Sequence, residues 1–464
     1  MNPNTHLPPN FLAALRSVVR TESIYTDPAT CQGYAYDNSR RYSLPQVVVL
    51  AQTEEDVRGV VTTCYRHRVP VVARGRGTGT TGSAVPIAGG VVLSLERMHR
   101  IVRIDPDNRY AVVEPGVTNQ TLQDALAPHG FFWPPDPTSA AYATIGGNLA
   151  FNSAGPRAVK YGTPRDNTLG LRVITGTGES MRVGTYTTKG VVGYDLTRLL
   201  IGSEGTLAIT TEATLKLTPL PETQHSMLAL YRDMHSAARA VSRIMAQPVT
   251  PCALEFMDAK AIAMIRDYSK ADIPQDAGAL LIIEVDGSHA AIADAVAGIT
   301  RAAQVDGSLR IQTAATAEQR AALWTMRKAL SPALRTIAPK KINEDVAVPV
   351  SAMPEFLARL EQITARYRIT NVNFGHAGNG NIHVNLLINP DDAGEAARAY
   401  RCLDEIFDLV LALNGTLSGE HGVGLEKRDY VARELDPVAL QLMRQIQTVF
   451  DPAGILNPGK VWVP

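Results

Sequence analysis

The chain of 464 residues has little of several things that would fix its class at once. It has four cysteines (Cys31, Cys64, Cys252, Cys402), none of them in a C-x-x-C pair. That argues against a cysteine metal framework or a disulfide scaffold and fits a reducing compartment. It has no excess charge: Lys+Arg and Asp+Glu both number 45. No bulk attraction to nucleic acid or anionic membrane follows. No uninterrupted apolar run reaches membrane-spanning length. The first segment, "MNPNTHLPPNFLAALRSVV", has no positive n-region and no long apolar core, so it does not read as a signal peptide. There is no internal repeat and no low-complexity tract. The expected setting is the cytoplasm, with peripheral membrane attachment left open because it leaves no such trace.

What is present is 45% hydrophobic and 19% charged, enough for large cores in two or three domains. Residues 10–20 predict a short amphipathic helix. "PQVVVLA" predicts a buried strand, "TEEDVRGVVTTCYRHR" a helix capped by Thr53, and "VPVVA" a second strand. "GGVVLSL" is a further strand, and "TNQTLQDALAPHG" a helix stopped by Gly130. Residues 131–215 are rich in Gly, Pro, Thr and Asn, which implies loops that approach something closely. "TPLPETQ", residues 218–224, reads as a boundary. Helix and strand then alternate through "ALEFMD" and "ALLIIEVDG", the texture of an antiparallel α+β domain.

Between the strands "VPVVA" and "GGVVLSL" lies "RGRGTGTTGSAVP", in which Gly77, Gly79 and Gly82 spell G-x-G-x-x-G. A nicotinamide-binding fingerprint needs a helix after the glycines and an acid about 20 residues on. Glu96 stands at a suitable distance. The helix is missing, because Pro86 and the Gly89–Gly90 pair occupy its place. The loop is left as a nest of backbone N–H groups for phosphate, or as a plain turn.

This loop, "PPDPTSAAYATIGGNLAFNSAGPRAVKYGTPRDN", "GSEGTLAITTEATLKL" and "GILNPGK" together resemble the FAD-binding domain of the vanillyl-alcohol oxidase/p-cresol methylhydroxylase (PCMH) superfamily. The resemblance implies an α+β fold: a two-subdomain PCMH-type FAD-binding domain over residues 1–220, an α+β cap domain with an antiparallel sheet over 221–440, and a tail, 441–464, returning to the flavin. It implies that Arg74, Gly75, Arg76, Gly77, Thr78, Gly79 and Thr80 wrap the FAD pyrophosphate, and that Pro135, Asp136 and Thr138 lie near the flavin. It implies that Thr144, Ile145, Gly146, Gly147, Asn152, Ser153 and Gly155 line the isoalloxazine and phosphates. Tyr161, Gly162, Glu204, Gly205 and Ile209 would follow the nucleotide, and Asn457 would reach the flavin. Residues 74–82 hold neither His nor Cys, so non-covalent FAD is expected.

A second constellation lies in "NFGHAGNGNIHVNLL" and "LSGEHGVGLEKRDYV". His376, His383 and Glu420 make a plausible three-ligand site that leaves one position open for substrate. On a strand, His383 and Asn385 face the same way. These segments resemble the C-terminal domain of the D-lactate dehydrogenase, glycolate oxidase and D-2-hydroxyglutarate dehydrogenase group of FAD-linked oxidases. The resemblance implies a divalent metal, Zn²⁺ first and Mn²⁺ second, on His376, His383 and Glu420, with His421 as catalytic base and substrate contact. "LWTMRK" is similar to the group's substrate-carboxylate segment, which implies Arg327 and Ser331 as substrate contacts, with Asn385 beside them. Where the 2-hydroxyglutarate enzymes often carry a cation before "DVAVP", this chain has Asn343, with Lys341 two residues earlier on the same strand face.

The implied activity is oxidation of a small D-2-hydroxy acid to the 2-oxo acid, with electrons passed to a cytochrome, a quinone or an electron-transfer flavoprotein. A homodimer is left open. Two rivals remain: a non-catalytic flavin subunit of a larger oxidase, and a transferase of the alkyl-glycerone-phosphate synthase kind.

Overall fold

The computed structural model describes residues 6–266, 273–314 and 316–463, and within helix 317–337 it leaves four side chains, among them Ser331, outside the described set. The chain forms two compact units. The first comprises residues 1–154, 162–220 and 420–464; the second comprises 155–161 and 221–419. The second unit therefore ends at Gly419 rather than at residue 440.

In the first unit, short strands arise where the sequence is densely β-branched. They are β1 (Ile24–Tyr25), β2 (Val47–Leu50), β3 (Val71–Arg74) and β4 (Val91–Ser94). They form a sheet in the order β1-β2-β4-β3, parallel except at β1. Val47, Val49, Val71, Val91 and Leu93 pack under Val57, Val60, Val61 and Cys64 of helix Glu54–His67 and under Phe11 and Leu15. Val48, Leu50, Val72 and Val92 pack on the other face against Cys31. Covering both faces explains why these strands are apolar throughout rather than alternating. The capping box on Thr53 and Asp56 starts the helix as its sequence predicts.

The same unit holds β5 (Ile101–Asp105), β6 (Tyr110–Val113), β7 (Phe131–Phe132), β8 (Thr168–Thr175), β9 (Ser180–Gly184), β10 (Ala208–Lys216) and β11 (Thr218–Pro219). Five of them make an antiparallel sheet in the order β5-β6-β10-β8-β9; β7 and β11 pair separately. Its core is built from Val113, Val173, Ala213 and Leu215 against Leu122, Trp133, Ile145 and Leu149. The chain's tail lies along the open edge of β3: Val71 N–H donates to Ile455 O and Asn457 N–H to Val71 O, each at 2.8 Å. An edge strand covered in this way offers no template for pairing with another chain.

The second unit holds β12 (Thr223–Tyr231), β13 (Ala253–Asp258), β14 (Ala279–Gly287), β15 (Ser308–Ala314), β16 (Lys340–Ala347), β17 (Thr370–His376) and β18 (Asn381–Ile388). They form one fully antiparallel sheet in the order β15-β12-β14-β13-β17-β18-β16. One face packs on helices Ala259–Arg266 and Ala317–Ile337 through Leu228, Leu230, Met257, Leu280, Ile282, Val372, Phe374 and Leu387. The register then decides what shares that face. Glu255 stands opposite His376 and Ile282, Phe374 opposite His383, and Asp345 opposite His383 from the other side. Side chains alternate along a strand, so the apolar face continues into a polar patch made of Glu255, His376, His383, Asn385, Asn343 and Asp345.

Candidate functional site

In the first unit, β3 runs directly into the glycine loop. No helix follows Gly82; turns lead to β4, as Pro86 and Gly89–Gly90 require. Glu96 is hydrogen-bonded to the Tyr34 hydroxyl at 2.5 Å and to Ser94 at 3.2 Å, so it is occupied within the protein rather than held out for a ribose. Among the described residues, the backbone amides from Gly75 to Thr80 donate to no protein acceptor, although the carbonyls of Gly77 and Gly79 both accept from Asn38 N–H. A half-buried run of amides without acceptors is what an anionic ligand satisfies. Gly77 is required on two counts: its φ is 67°, and a Cβ there would lie 2.2 Å from the Arg74 guanidinium. Arg74 is itself buried, donates to Tyr36 O at 2.8 Å and lies over the Tyr34 ring. Its side chain shapes the loop from within, and Arg76 is exposed.

The other expected flavin residues divide by what their atoms are doing. Thr144 caps helix Ile145–Phe151 and accepts from Gly147 N–H at 3.2 Å. Ile145 and Ile209 have their side chains in the core, so only their backbone is available to a cofactor. Pro135 and Ser153 are set by two buried amides that sequence reasoning missed. Asn119 donates to Pro135 O at 2.8 Å and to Asn148 Oδ1 at 3.2 Å, and Asn148 donates to Ser153 Oγ at 3.0 Å. Asp136 N–H donates to Ala154 O at 2.9 Å, while Thr138 is exposed. Asn152 and Glu204 both have positive φ, at 55° and 53°. Gly205 also has positive φ, with open space where a Cβ would point. Gly162 belongs to this unit, whereas Gly155 and Tyr161 belong to the second. There the Tyr161 hydroxyl donates to Asp286 at 2.7 Å. Burial, with Asp286 adding to it, pushes the Tyr161 phenol well above its ordinary range.

Glu204 closes a clasp. Its carboxylate accepts from Ser83 Oγ, from Val423 N–H at 2.6 Å and from Gly424 N–H at 2.9 Å. Its carbonyl accepts from Asn457 Nδ2 at 2.8 Å, and Lys460 Nζ bonds Asn457 Oδ1 at 3.0 Å and Val85 O at 2.7 Å. The side chains of Glu204 and Asn457 therefore join the glycine-loop segment to the segment after residue 420 and to the tail. Burial raises the Glu204 carboxyl and pulls the Lys460 ammonium down to about 8.

This clasp carries Glu420 and His421 in the first unit. Ala154 N–H donates to the Glu420 carboxylate at 3.3 Å, and the His421 carbonyl accepts from Thr81 Oγ1 at 3.3 Å. Leu425 N–H donates to Thr81 O at 2.8 Å. Gly424 leaves no room for a side chain, since a Cβ would sit 2.3 Å from Thr81 O. The candidate base is thus seated on the distal end of the glycine loop.

In the second unit, the rings of His376 and His383 are perpendicular, with centroids 5.1 Å apart. Both are buried. Each turns Nδ1 toward a buried carboxylate: His376 to Glu255 at 2.5 Å, and His383 to Asp345 at 3.4 Å. His376 has the orientation usual for a metal-binding histidine, with Nδ1 bonded to a carboxylate and Nε2 left for the ion, while His383 stands at ion-pair distance from Asp345. Asp345 is held in turn by Asn381 Nδ2 at 2.7 Å, and its carbonyl accepts from Gly419 N–H at 2.9 Å. Asn385 is fully buried; its Nδ2 donates to Val372 O and His383 O, and its Oδ1 has no partner among the described residues. An orphaned buried carbonyl oxygen beside two carboxylate-oriented histidines fits a site that receives a polar ligand.

Arg327, on helix Ala317–Ile337, is buried, donates from Nε to Glu255 Oε2 at 2.7 Å and lies over Phe374 at 4.7 Å. Burial alone would raise the Glu255 carboxyl; His376 and Arg327 together hold it below its ordinary value. One turn earlier on the helix, Trp324 donates to Glu284 at 3.1 Å. Asn343 stands opposite Asn385 in the register and Lys341 opposite Leu387, so both lie on the same sheet face. The side chain of Ser331 lies outside the described residues. Glu255 and Asp345 were not singled out from the sequence. The available signal was an acid at an inward position of an otherwise apolar strand, in "ALEFMD" and "EDVAVP".

Comparison with known proteins matches residues 45–184 to an FAD binding domain and residues 220–461 to the C-terminal domain of FAD linked oxidases. Glycolate oxidase subunit GlcD of Bacillus subtilis is 40% identical over 430 residues, 92% of each chain. A D-lactate dehydrogenase of Anaerostipes hadrus is 35% identical over 426 residues, 90% of this chain and 89% of that one. Among solved structures, p-cresol methylhydroxylase superposes with a TM-score of 0.79 at 20% identity, over 98% of this chain and 96% of that one. An alkyldihydroxyacetonephosphate synthase gives 0.77 at 18%, over 99% and 86%. Those two likenesses speak to the fold alone.

Proposed function

This chain belongs to the FAD-linked oxidases, and from that premise we propose that it oxidises a small D-2-hydroxy acid to the corresponding 2-oxo acid. The observation that carries the reading is the pair of buried histidines, each backed by a carboxylate, with Arg327 anchored to the same Glu255. FAD, held non-covalently on the amides of Gly75–Thr80, supplies the two-electron acceptor. A divalent metal on His376, His383 and Glu420, zinc first and manganese second, supplies Lewis acidity toward the substrate oxygens. Glu420 and His421 follow directly on Gly419, whose amide is bonded to Asp345.

The residues of the chain have separate tasks. Arg327 offers its terminal Nη groups to the substrate carboxylate, the pairing for which a planar guanidinium is suited. Lys341 adds positive charge on the same sheet face, with Asn343 as a further substrate contact. Asn385, whose Oδ1 has no partner among the described residues, is a further substrate contact. His421 takes the hydroxyl proton, a task for a neutral imidazole. The acids on this sheet face, Glu255 and Asp345, are held by partners and are not bases.

The electrons leave through a cytochrome, a quinone or an electron-transfer flavoprotein. The Bacillus relative is named a subunit, which favours a protein partner. No helix among the described residues is long and apolar enough to cross a membrane; attachment at a membrane surface and a homodimer belong to the same proposal.

The test is an anaerobic screen of the purified yellow protein against D- and L-lactate, glycolate, 2-hydroxyglutarate, malate and mandelate, read as loss of flavin absorbance. Bleaching by a D-2-hydroxy acid, and its loss on chelation with FAD retained, supports the reading. A protein that binds FAD and is bleached by none of them overturns the substrate class.

A further inference from the structure

We propose that Glu255 is a positioning residue that couples the metal-binding arm of the site to its carboxylate-binding arm. The proposal rests on the reading above. Glu255 sits in the middle of β13, 1% exposed. It spends one oxygen on each arm: Oε1 on His376 Nδ1 at 2.5 Å, and Oε2 on Arg327 Nε at 2.7 Å. Those partners come from different elements. His376 is the last residue of β17, directly opposite Glu255 in the register, and Arg327 descends from helix Ala317–Ile337.

The chemistry of each bond sets an orientation. When Oε1 accepts from Nδ1–H, the imidazole is fixed as the tautomer whose Nε2 carries the lone pair, the one a metal requires. When Oε2 accepts from Nε–H, the guanidinium plane is fixed with its Nη groups turned toward the other end of the fork. A buried ion pair is a weak device for stability, because desolvation offsets most of the attraction. A single carboxylate that orients two groups of different function is better explained by what it holds in place. The second histidine faces a different carboxylate: Asp345, 3.4 Å from His383 Nδ1, also accepts from Asn381 Nδ2, and its carbonyl accepts from Gly419 N–H. Phe374 closes the assembly, lying under the Arg327 guanidinium at 4.7 Å and edge-on to His383 at 5.7 Å.

One pivot under two arms makes their ligands interdependent. What disturbs Arg327 is felt at the metal, although Arg327 is not a ligand, and the free energy of that coupling is the same in both directions. His383 turns its Nδ1 to Asp345 rather than to Glu255, so its loss removes a ligand and leaves the pivot's two bonds in place.

The experiment uses FAD-loaded full-length protein. Zinc affinity is read by competition with a chelating dye, and carboxylate affinity by calorimetry with propionate, which has no hydroxyl with which to chelate. Glu255→Gln keeps the shape of the side chain but can accept from only one of its two partners. Its zinc affinity is expected to fall by about 10–100-fold and its propionate affinity at least several-fold, with FAD content unchanged. Arg327→Lys retains a positive charge and serves if Glu255→Gln fails to fold. Its zinc affinity is also expected to fall several-fold. His383→Ala is expected to lose zinc while keeping propionate. Tight zinc binding by the wild type with zinc affinity unchanged in Glu255→Gln and Arg327→Lys overturns the coupling and leaves the metal centre standing. A wild type without zinc affinity overturns the metal centre and the coupling with it.

Discussion

The two units build their candidate sites from different materials. The first offers main chain: a run of amides without acceptors among the described residues, positive φ angles at Gly77, Asn152, Glu204 and Gly205, and side chains that are largely spent on one another. The second offers side chains on one face of a regular sheet, placed by register. Main-chain recognition suits a large, invariant ligand such as a dinucleotide. Side-chain recognition suits a small substrate whose class is set by a few charges and whose reaction needs a tuned acid or base. The difference predicts how each unit fails. Single substitutions in the second should remove chemistry and spare the fold, whereas in the first they should remove cofactor and stability together.

The largest effect is expected from His383→Ala. Anaerobic stopped-flow should show flavin reduction slowed by more than about 100-fold, beyond the cost of losing an outer partner of a ligand, with FAD still bound stoichiometrically. Loss of FAD in this variant would break the comparison. Next comes Gly77→Val, which forces a branched side chain at φ 67° into the Arg74 guanidinium. It should be isolated largely without FAD and be destabilised by about 1–3 kcal/mol from backbone strain, read as FAD content and Tm.

A smaller effect tests the sheet unit through pH. Asp258 is fully buried, accepts from Ala261 N–H and from Asn373, and is pushed up to about 6 by burial. A carboxyl whose folded value lies above its unfolded 3.8 binds its proton more tightly when folded. Its contribution is present below the unfolded value and is lost as pH rises through about 6. Melting curves between pH 4 and 7 should therefore show the wild type losing stability relative to Asp258→Asn as pH rises, and no relative change above. The smallest effect is expected at Arg41, which pairs with Glu426 on the surface of the first unit. Arg41→Ala should cost less than about 1 kcal/mol.

The sequence carried the family and the mixed helix-and-sheet class of the fold. Pro86 and Gly89–Gly90 argue against a nicotinamide-binding loop, and β3 does run through turns into β4 without a helix. The spacing of His376 and His383 placed both in one segment, and the strands β17 and β18 bring the rings together. What could not be read was whatever depends on strand register. Glu255 and His376 are 121 residues apart and become neighbours only because β13 pairs with β17. The end of the second unit escaped for a similar reason. The amides of Val423 and Gly424 are bonded to Glu204, some 220 residues earlier, and no local pattern announces that partner.

The tail along β3 bears on the order in which the molecule is made. The first unit's sheet edge is finished by Ile455 and Asn457, and its clasp by Lys460, whereas the whole of the second unit lies before residue 420. During synthesis every strand of β12–β18 is made before the segment that finishes the edge of β3. The inserted unit can therefore fold first, before the cofactor-binding unit has all of its parts. A fragment ending at residue 220 would carry every glycine of the loop and still lack the residues that hold that loop shut.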